Sequence, residues 1–281
     1  MREGGLKLKK QPWGEIFRHA ILMSLVGLTL FPLYFLIITS FKDYDQFIHH
    51  FWEPTLPLRF ENYVDAWLEV RGYIGNSLLY AFIVVFFVVL LSTISAYVFA
   101  RHKFPGKELL FYLIIGVLMI PPVLMLIPQF LMVRLFGLLD TRAGLVLPMI
   151  AGGQVFSIFI LRTFFAGLPE ELFEAARIDG ANHFQLYSQI AIPLSFPIIV
   201  TIAMLNFVGT WNEIIWPLIV LSRDELRPVT TGLLAFQGQF SITSYGPMFA
   251  GYVLASVPLV VVFLFCMKYY IRGITSGALK I

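Results

Sequence analysis

LPEELFEAARIDGANHFQLYSQIAIP, residues 168–193, decides how this chain is read. It lies between two apolar runs, yet it carries the signals of built structure. Pro169 suits the first position of a helix, where a missing N–H costs nothing. Glu170 and Glu171 then occupy the first turn, where the positive end of the helix dipole favours carboxylates. Leu172, Phe173 and Ala176 fall on one helical face. Ala175 and Ala176 have almost no side chain, so another surface can approach closely. Glu174 is placed to pair with Arg177 at i,i+3, and Gly180 to end the helix with a positive φ. A second short helix, about Asn182 to Ile190, runs on towards Pro193. The pattern predicts helix, glycine turn, helix, lying across a membrane surface.

The membrane is implied by what flanks this stretch. Only 13% of the 281 residues are charged, against about 25% in a soluble domain. Six apolar runs of about the ~20 residues that cross a bilayer are predicted as spans: 20–40, 74–100, 109–133, 143–161, 196–219 and 248–267. Ten-residue alternating strands are absent from the sequence, so the expected fold class is an all-α membrane protein with six transmembrane helices. The domain reading is a short segment 1–19, a six-helix domain 20–271 and a tail 272–281, with outer loops 41–73 and 222–247 and the inner loop 168–193. The first run has no small-residue cleavage site after it and reads as a retained anchor.

Lys and Arg set the orientation. With the N-terminus inside, the inner segments hold 13 of the 20 basic residues and the outer segments 7. This bias places both termini and the 168–193 loop on the cytoplasmic side. The net charge of +3 is explained by topology and is no nucleic-acid signal. The lone Cys266 allows no intrachain disulfide. Neither GxxxxGK[ST] nor a metal-ligand cluster is present in the sequence, so the chain has no visible means of using ATP itself.

Two spans carry unusual chemistry. The third contains Pro121, Pro122 and Pro128, which would free the carbonyls of Val117, Leu118 and Leu124 near mid-membrane. Broken backbone at that depth is tolerated where it faces protein or a water-filled cavity. In the fifth, Asn206, Gly209, Thr210 and Glu213 recur at helical spacing, flanked by Trp211 and Asn212. Pro217 removes the helix bond to the Glu213 carbonyl, so a kink is expected there. A carboxylate inside a span marks a functional site by default, although Glu213 lies near the outer end, where reaching interfacial water is the alternative; Asn, Glu and Trp suit a hydroxyl-rich solute. Helix packing by the same polar groups is the equal alternative. The acidic, aromatic loop 41–73 reads either as a docking surface or as a solvated cap.

Glu174-Ala175-Ala176, three residues, Gly180, nine residues and Ile190-x-Ile192-Pro193 resemble the EAA loop of binding-protein-dependent ABC importer permeases. Ile192 stands where that family usually has Leu. The phrase EAARIDGA, the Trp211-Asn212-Glu213…Pro217-Leu218 run, the Ser40-Phe41-Lys42 and Glu61-Asn62-Tyr63 pieces, and the ending Arg272-Gly273…Gly277-Ala278-Leu279-Lys280 are similar to its carbohydrate branch, the maltose-type permeases. Ile281 replaces the usual final glycine. The resemblance implies a permease subunit for a sugar or oligosaccharide in the inner membrane. Its EAA loop, through Glu174, Ala175, Ala176, Asp179 and Gly180, would seat in a separate ATPase dimer. Gly277, Ala278 and Lys280 would touch the same dimer. Pro121, Pro122, Asn206, Gly209, Thr210, Trp211, Asn212 and Glu213 would line the pathway, and the 236–246 stretch would reach towards a binding protein. A second, different permease and an extracytoplasmic solute-binding protein are implied partners. No cofactor is expected in this chain; ATP and Mg would be bound by the ATPase.

Other readings remain open at this point. A permease for an amine, a peptide or a phosphate ester shares the EAA spacing. A self-sufficient secondary transporter would need an internal repeat or a charged relay, and only Glu213 offers charge within the spans. A membrane enzyme would need a polar cluster, whereas the five histidines are scattered along the sequence.

Overall fold

The structure, a computed structural model, describes residues 12–240 and 244–278. Lys280 and the basic residues Arg2, Lys7, Lys9 and Lys10 lie outside the described residues, as do the side chains of Ala278, Gln237 and Gln239; Gly277 is described by its backbone alone. Among the described residues every regular element is a helix. Four helices are long and apolar enough to cross a membrane: α1 (Pro12–Ser40), α3 (Glu61–Arg101), α6 (Arg142–Ala166) and α13 (Tyr245–Ala278). Two bent helix pairs pass the same test of length and composition, which gives up to six spans if each pair is one span. In one, α4 (Lys107–Gly116) and its 3₁₀ extension to Met119 meet α5 (Pro122–Leu135) at 105°. In the other, the helical run His183–Leu194 meets α10 (Phe196–Asn212) at 77°.

The third span therefore does more than kink. Ile120 precedes Pro121, and Pro121 precedes Pro122, so each is pushed from helical to extended backbone; their ψ angles are 119° and 128°. The carbonyl of Val117, expected to be free, accepts from the Ile120 N–H at 3.1 Å in the 3₁₀ turn.

The predicted outer loop 41–73 is only partly a loop. Asp43 caps α2 (Tyr44–His49) in a reciprocal capping box with Gln46, and α3 already begins at Glu61. With 41 residues, α3 is about 60 Å long, roughly twice the ~30 Å of hydrocarbon.

The chain packs as two compact units. One comprises residues up to Trp67 together with Phe240–Val253; the other comprises Leu68–Gln239 and the residues from Leu254 onwards. In the first unit Lys42 is almost fully buried. Its ammonium donates to the carbonyls of His50 (2.6 Å) and Phe51 (3.0 Å), because a buried charge needs such partners. Burial lowers its pKa and the nearby Glu53 raises it, the first effect being larger. The Asn62 side-chain amide donates to the carbonyls of Ser40 and Lys42, both at 2.9 Å. Gly246 sits directly against this knot. A Cβ there would overlap the Lys42 carbonyl oxygen and the Asn62 amide. Gly246→Ala is therefore expected to destabilise this unit by about 1–3 kcal/mol, read as a lowered melting temperature of the detergent-solubilised chain. An unchanged melting temperature would refute the close approach.

In the second unit, α3 and α6 run through two apolar clusters. One joins Tyr80, Val84 and Val88 of α3 to Leu145 and Ile150 of α6 and to Trp216 of α11 (Ile215–Val220). The other joins Ala96 and Tyr97 of α3 to Leu161 and Phe165 of α6, and takes in Phe173 and Leu186 from the 168–193 loop. That loop is thus part of the core at one end of the two long helices.

Candidate functional site

The loop folds as helix, glycine turn, helix. Pro169 is the cap (ψ 128°) rather than the first helical residue, and α7 spans Glu170–Ile178. Gly180 has φ +85°. There the Ala181 N–H returns to the Ala176 carbonyl at 2.9 Å and the Gly180 N–H to that of Arg177 at 3.0 Å, closing the helix end. The second helical piece begins at α8 (His183–Gln185) with Asn182 and Gln185 in a capping box. It continues through a π-helical turn, Leu186–Ala191, into α9 (Ile192–Leu194). It therefore runs past Ile190, and Pro193 lies within it.

Of the residues predicted on one face of α7, Phe173 is fully buried, Ala176 half-buried and Leu172 exposed. The opposite face is free: Glu171, Glu174, Ala175 and Asp179 are exposed, and Ile178 is 87% exposed. Beyond the turn, Phe184 is 72% exposed. These two apolar side chains were missed by the sequence reading. Ile178 lies five residues after Phe173, about 140° round the helix, and that phase was the signal available.

Arg177 does not pair with Glu174. It reaches back to Glu170 at 3.2 Å, because Glu170 is already fixed by Arg101 at the end of α3. Arg101 also donates to the Leu168 carbonyl at 2.6 Å, and its guanidinium lies 4.1 Å from the centre of the Phe173 ring. Next in sequence, His102 packs its ring on that of His183, with centroids 4.8 Å apart.

Burial pushes the His102 pKa below its usual 6.5, and the neighbouring charges of His183, Arg177 and Lys107 push the same way. A depressed folded-state pKa means that the contact's contribution is complete above 6.5 and is lost as pH falls through the folded value. Amide exchange in residues 181–190 is expected to speed up between about pH 8 and about pH 5.5 beyond its intrinsic pH dependence. His102→Phe, which keeps a ring in place, should flatten that extra change. An equal change in the variant would show that His102 is not its source.

The fifth span breaks at Glu213, the residue whose carbonyl Pro217 is expected to free. α10 ends at Asn212, Glu213 is extended (ψ 126°), and α11 starts at Ile215. One Glu213 carboxylate oxygen accepts from the N–H groups of Ile215 (3.0 Å) and Trp216 (3.1 Å). Pro217 then falls in the first turn of α11, where no intrahelical N–H is required. The freed Glu213 carbonyl accepts from the Thr230 hydroxyl at 2.7 Å; Thr230 lies on α12 (Val229–Phe240).

The expected polar stripe is split. Asn206 donates to the Ser157 hydroxyl (3.2 Å) and to the Ile202 carbonyl (2.9 Å). Thr210 and Trp211 are buried, whereas Gly209 and Asn212 are exposed. Pro122 lines a groove of about 710 Å³ between α5 and α6, together with Met125, Pro128, Gln129, Pro148 and Gly152. Gln129 is the one polar side chain in that lining, and Pro121 is not part of it.

With this geometry in place, comparison with known proteins gives a family. Residues 88–276 match the model of the binding-protein-dependent transport system inner membrane component. The chain belongs to that family. It is an inner-membrane permease of the ABC transporter type. The permease is 31% identical to the diacetylchitobiose uptake system permease protein NgcG of Streptomyces coelicolor, over 93% of this chain and 88% of that one. It is 32% identical to the trehalose/maltose transport system permease protein MalG of Thermococcus litoralis, over 93% and 94%. Its fold matches a chain of a bacterial ABC transporter that imports the acidic polysaccharide alginate, with a TM-score of 0.80, 23% identity and coverage of 93% and 98%.

Proposed function

We propose that this permease forms half of the pathway of a sugar or oligosaccharide importer, paired with a second, different permease and fed by an extracytoplasmic binding protein. The 168–193 loop faces the cytoplasm with both termini and is the coupling element for a separate ATPase dimer, which binds the ATP and Mg. The observation that carries this reading is the two-faced α7. Phe173 ties it inward, while Glu171, Glu174, Ala175 and Ile178 are left open in a family defined by transport with partners. Ile178 and Phe184 are the apolar anchors for the ATPase, Ala175 allows close approach, and Gly180 sets the angle between the two helical pieces. Gly277, Ala278 and Lys280 add a second contact with the same dimer.

On the pathway side, exposed Gly209 and Asn212 with Glu213 face the solute, while Asn206, Thr210 and Trp211 hold α10 in place. Pro121 and Pro122 shape the broken span that borders the cavity. The sugars in the names of the two relatives support the substrate class. A phosphate ester is the poorer candidate, because the only charge between residues 196 and 220 is the Glu213 carboxylate, which repels phosphate.

The test is a mild-detergent pull-down of the tagged chain from its native membrane, wild type beside Ile178→Asp. A nucleotide-binding ATPase should accompany the wild type and fall at least tenfold with the variant, about 1.4 kcal/mol of lost contact. A wild-type chain recovered alone would end the importer reading.

A further inference from the structure

Each of the two long helices of the second unit carries an arginine at or near its end, and each arginine grips the helix that follows the other. Arg101, at the end of α3, bonds Glu170 and the Leu168 carbonyl and lies over Phe173, all in the segment that follows α6. Arg162, near the end of α6, bonds both carboxylate oxygens of Glu108 (2.8 and 2.9 Å) and lies 3.7 Å from the centre of the Phe111 ring in α4, which follows α3.

The receiving sites share one pattern, Glu-x-x-Phe at a helix start: Glu108 to Phe111 and Glu170 to Phe173. The chemistry of the two is alike. The carboxylate lies in the first turn, where the dipole favours it, and its charge-assisted bonds to arginine are the strong kind. The phenylalanine one turn later stands beside it and offers its ring face to the guanidinium. Phe111 and Phe173 are both buried, and the Arg101 side chain is only 7% exposed. A planar, delocalised cation is required for this; the ammonium of lysine can neither fork nor stack in the same way.

We propose that Arg101 and Arg162 are reciprocal positioning residues that lock the ends of α3 and α6 to α7 and α4 as one rigid body. A push delivered to α7 then reaches both long helices without being absorbed in the loop. The peptide link from α6 to α7 is the short turn Gly167-Leu168-Pro169, tied back to α6 by the Gly167 and Leu168 N–H groups on the Phe164 and Phe165 carbonyls. Arg101 ties the same turn to α3, since it holds the carbonyl in the turn and the carboxylate just after it. The inference rests on the coupling role of α7 proposed above, but its geometry can be tested apart from any ATPase.

The experiment measures the distance between spin labels at exposed Glu171 on α7 and exposed Val98 on α3 in the full chain in nanodiscs. It is made on the chain alone and in complex with its ATPase, with and without ATP and vanadate. The wild type should give one narrow distribution that does not move through the nucleotide cycle. Arg101→Gln should widen it at least twofold. Arg101→Lys, which keeps only the charge, should lie between. Glu170→Gln, a milder change at a half-exposed side chain, should widen it in the same direction and guards against a folding defect in the arginine variants.

Equal widths in all four chains would overturn the proposal. So would a wild-type distance that shifts when nucleotide is trapped, since the two helices would then not move as one body. If no ATPase associates with the wild type, the coupling reading falls. The widths measured on the chain alone still decide whether Arg101 holds α7 to α3.

Discussion

Replacing Phe173 by alanine is expected to detach α7 from the helices beneath it at a cost of about 3–5 kcal/mol, the range for a fully buried phenylalanine. Phe173 is 0% exposed and belongs to the cluster formed by Ala96, Tyr97, Leu161, Phe165 and Leu186. The variant also loses the ring face under Arg101, a contribution of about 0.5–2 kcal/mol already partly contained in the first figure. α7 has nine residues, too few for a helix to persist without tertiary contacts. The loss should therefore appear as local opening, while the apolar spans stay folded. Amide exchange across residues 170–178 should accelerate by roughly 100-fold or more, since each 1.4 kcal/mol is about a factor of ten. Exchange in α3 and α6 should be unaffected. Phe173→Leu keeps most of the volume and should cost below about 1.5 kcal/mol, which separates packing from the aromatic contact. Unchanged exchange over α7 in Phe173→Ala would mean that α7 is held by something other than this side chain.

The same residues show what a sequence can and cannot tell in such a protein. The six apolar runs, the glycine turn at Gly180 and the two-piece loop are written in local chemistry: run length, φ preference and capping residues. Partner choice is not. Glu174 and Arg177 have good helical spacing, yet Arg177 turns to Glu170, because a long-range partner, Arg101, has already fixed that carboxylate. Pro217 foretold a break in the fifth span and a freed Glu213 carbonyl, but not what would replace the lost bonds. The break lies at Glu213, where the carboxylate caps the new helix and Thr230 takes the freed carbonyl. Three prolines foretold a broken third span, but the 105° turn depends on two successive residues being driven to extended backbone. Periodicity placed Asn206, Gly209, Thr210 and Glu213 on one stripe. It could not say which edge of the stripe is buried, because in a lipid-soluble protein the contrast between buried and exposed faces largely disappears. The histidines show the converse: scattered in sequence, two of them meet ring to ring because the loop folds back on the end of α3.

Asn206 allows the sharpest test of that last ambiguity, through Gly153 on α6. A Cβ at Gly153 would lie 2.5 Å from the Asn206 Oδ1 and 2.8 Å from a Val88 methyl. Neither neighbour can step aside. Val88 is fully buried in α3, and the Asn206 amide is tied to Ser157 and Ile202. Small residues at such crossings let membrane helices approach closely where no hydrophobic force drives them together. Gly153→Ala gains up to about 1 kcal/mol in helix propensity but overpacks the crossing by about 1–3 kcal/mol, so the net effect should be modest and destabilising. Gly153→Leu adds three further carbons to the same clash and is expected to cost well above about 3 kcal/mol, enough to abolish the monodisperse peak of the detergent-solubilised chain in size exclusion. The decisive variant is Gly153→Ala with Asn206→Ala, which removes the amide that the new methyl would strike. If Asn206 is there to pack α10 against α6, the double change should regain at least half of the melting temperature lost in Gly153→Ala and retain uptake in whole cells. A double variant that regains its stability and yet transports nothing would move Asn206 from the packing of the helices to the path of the solute.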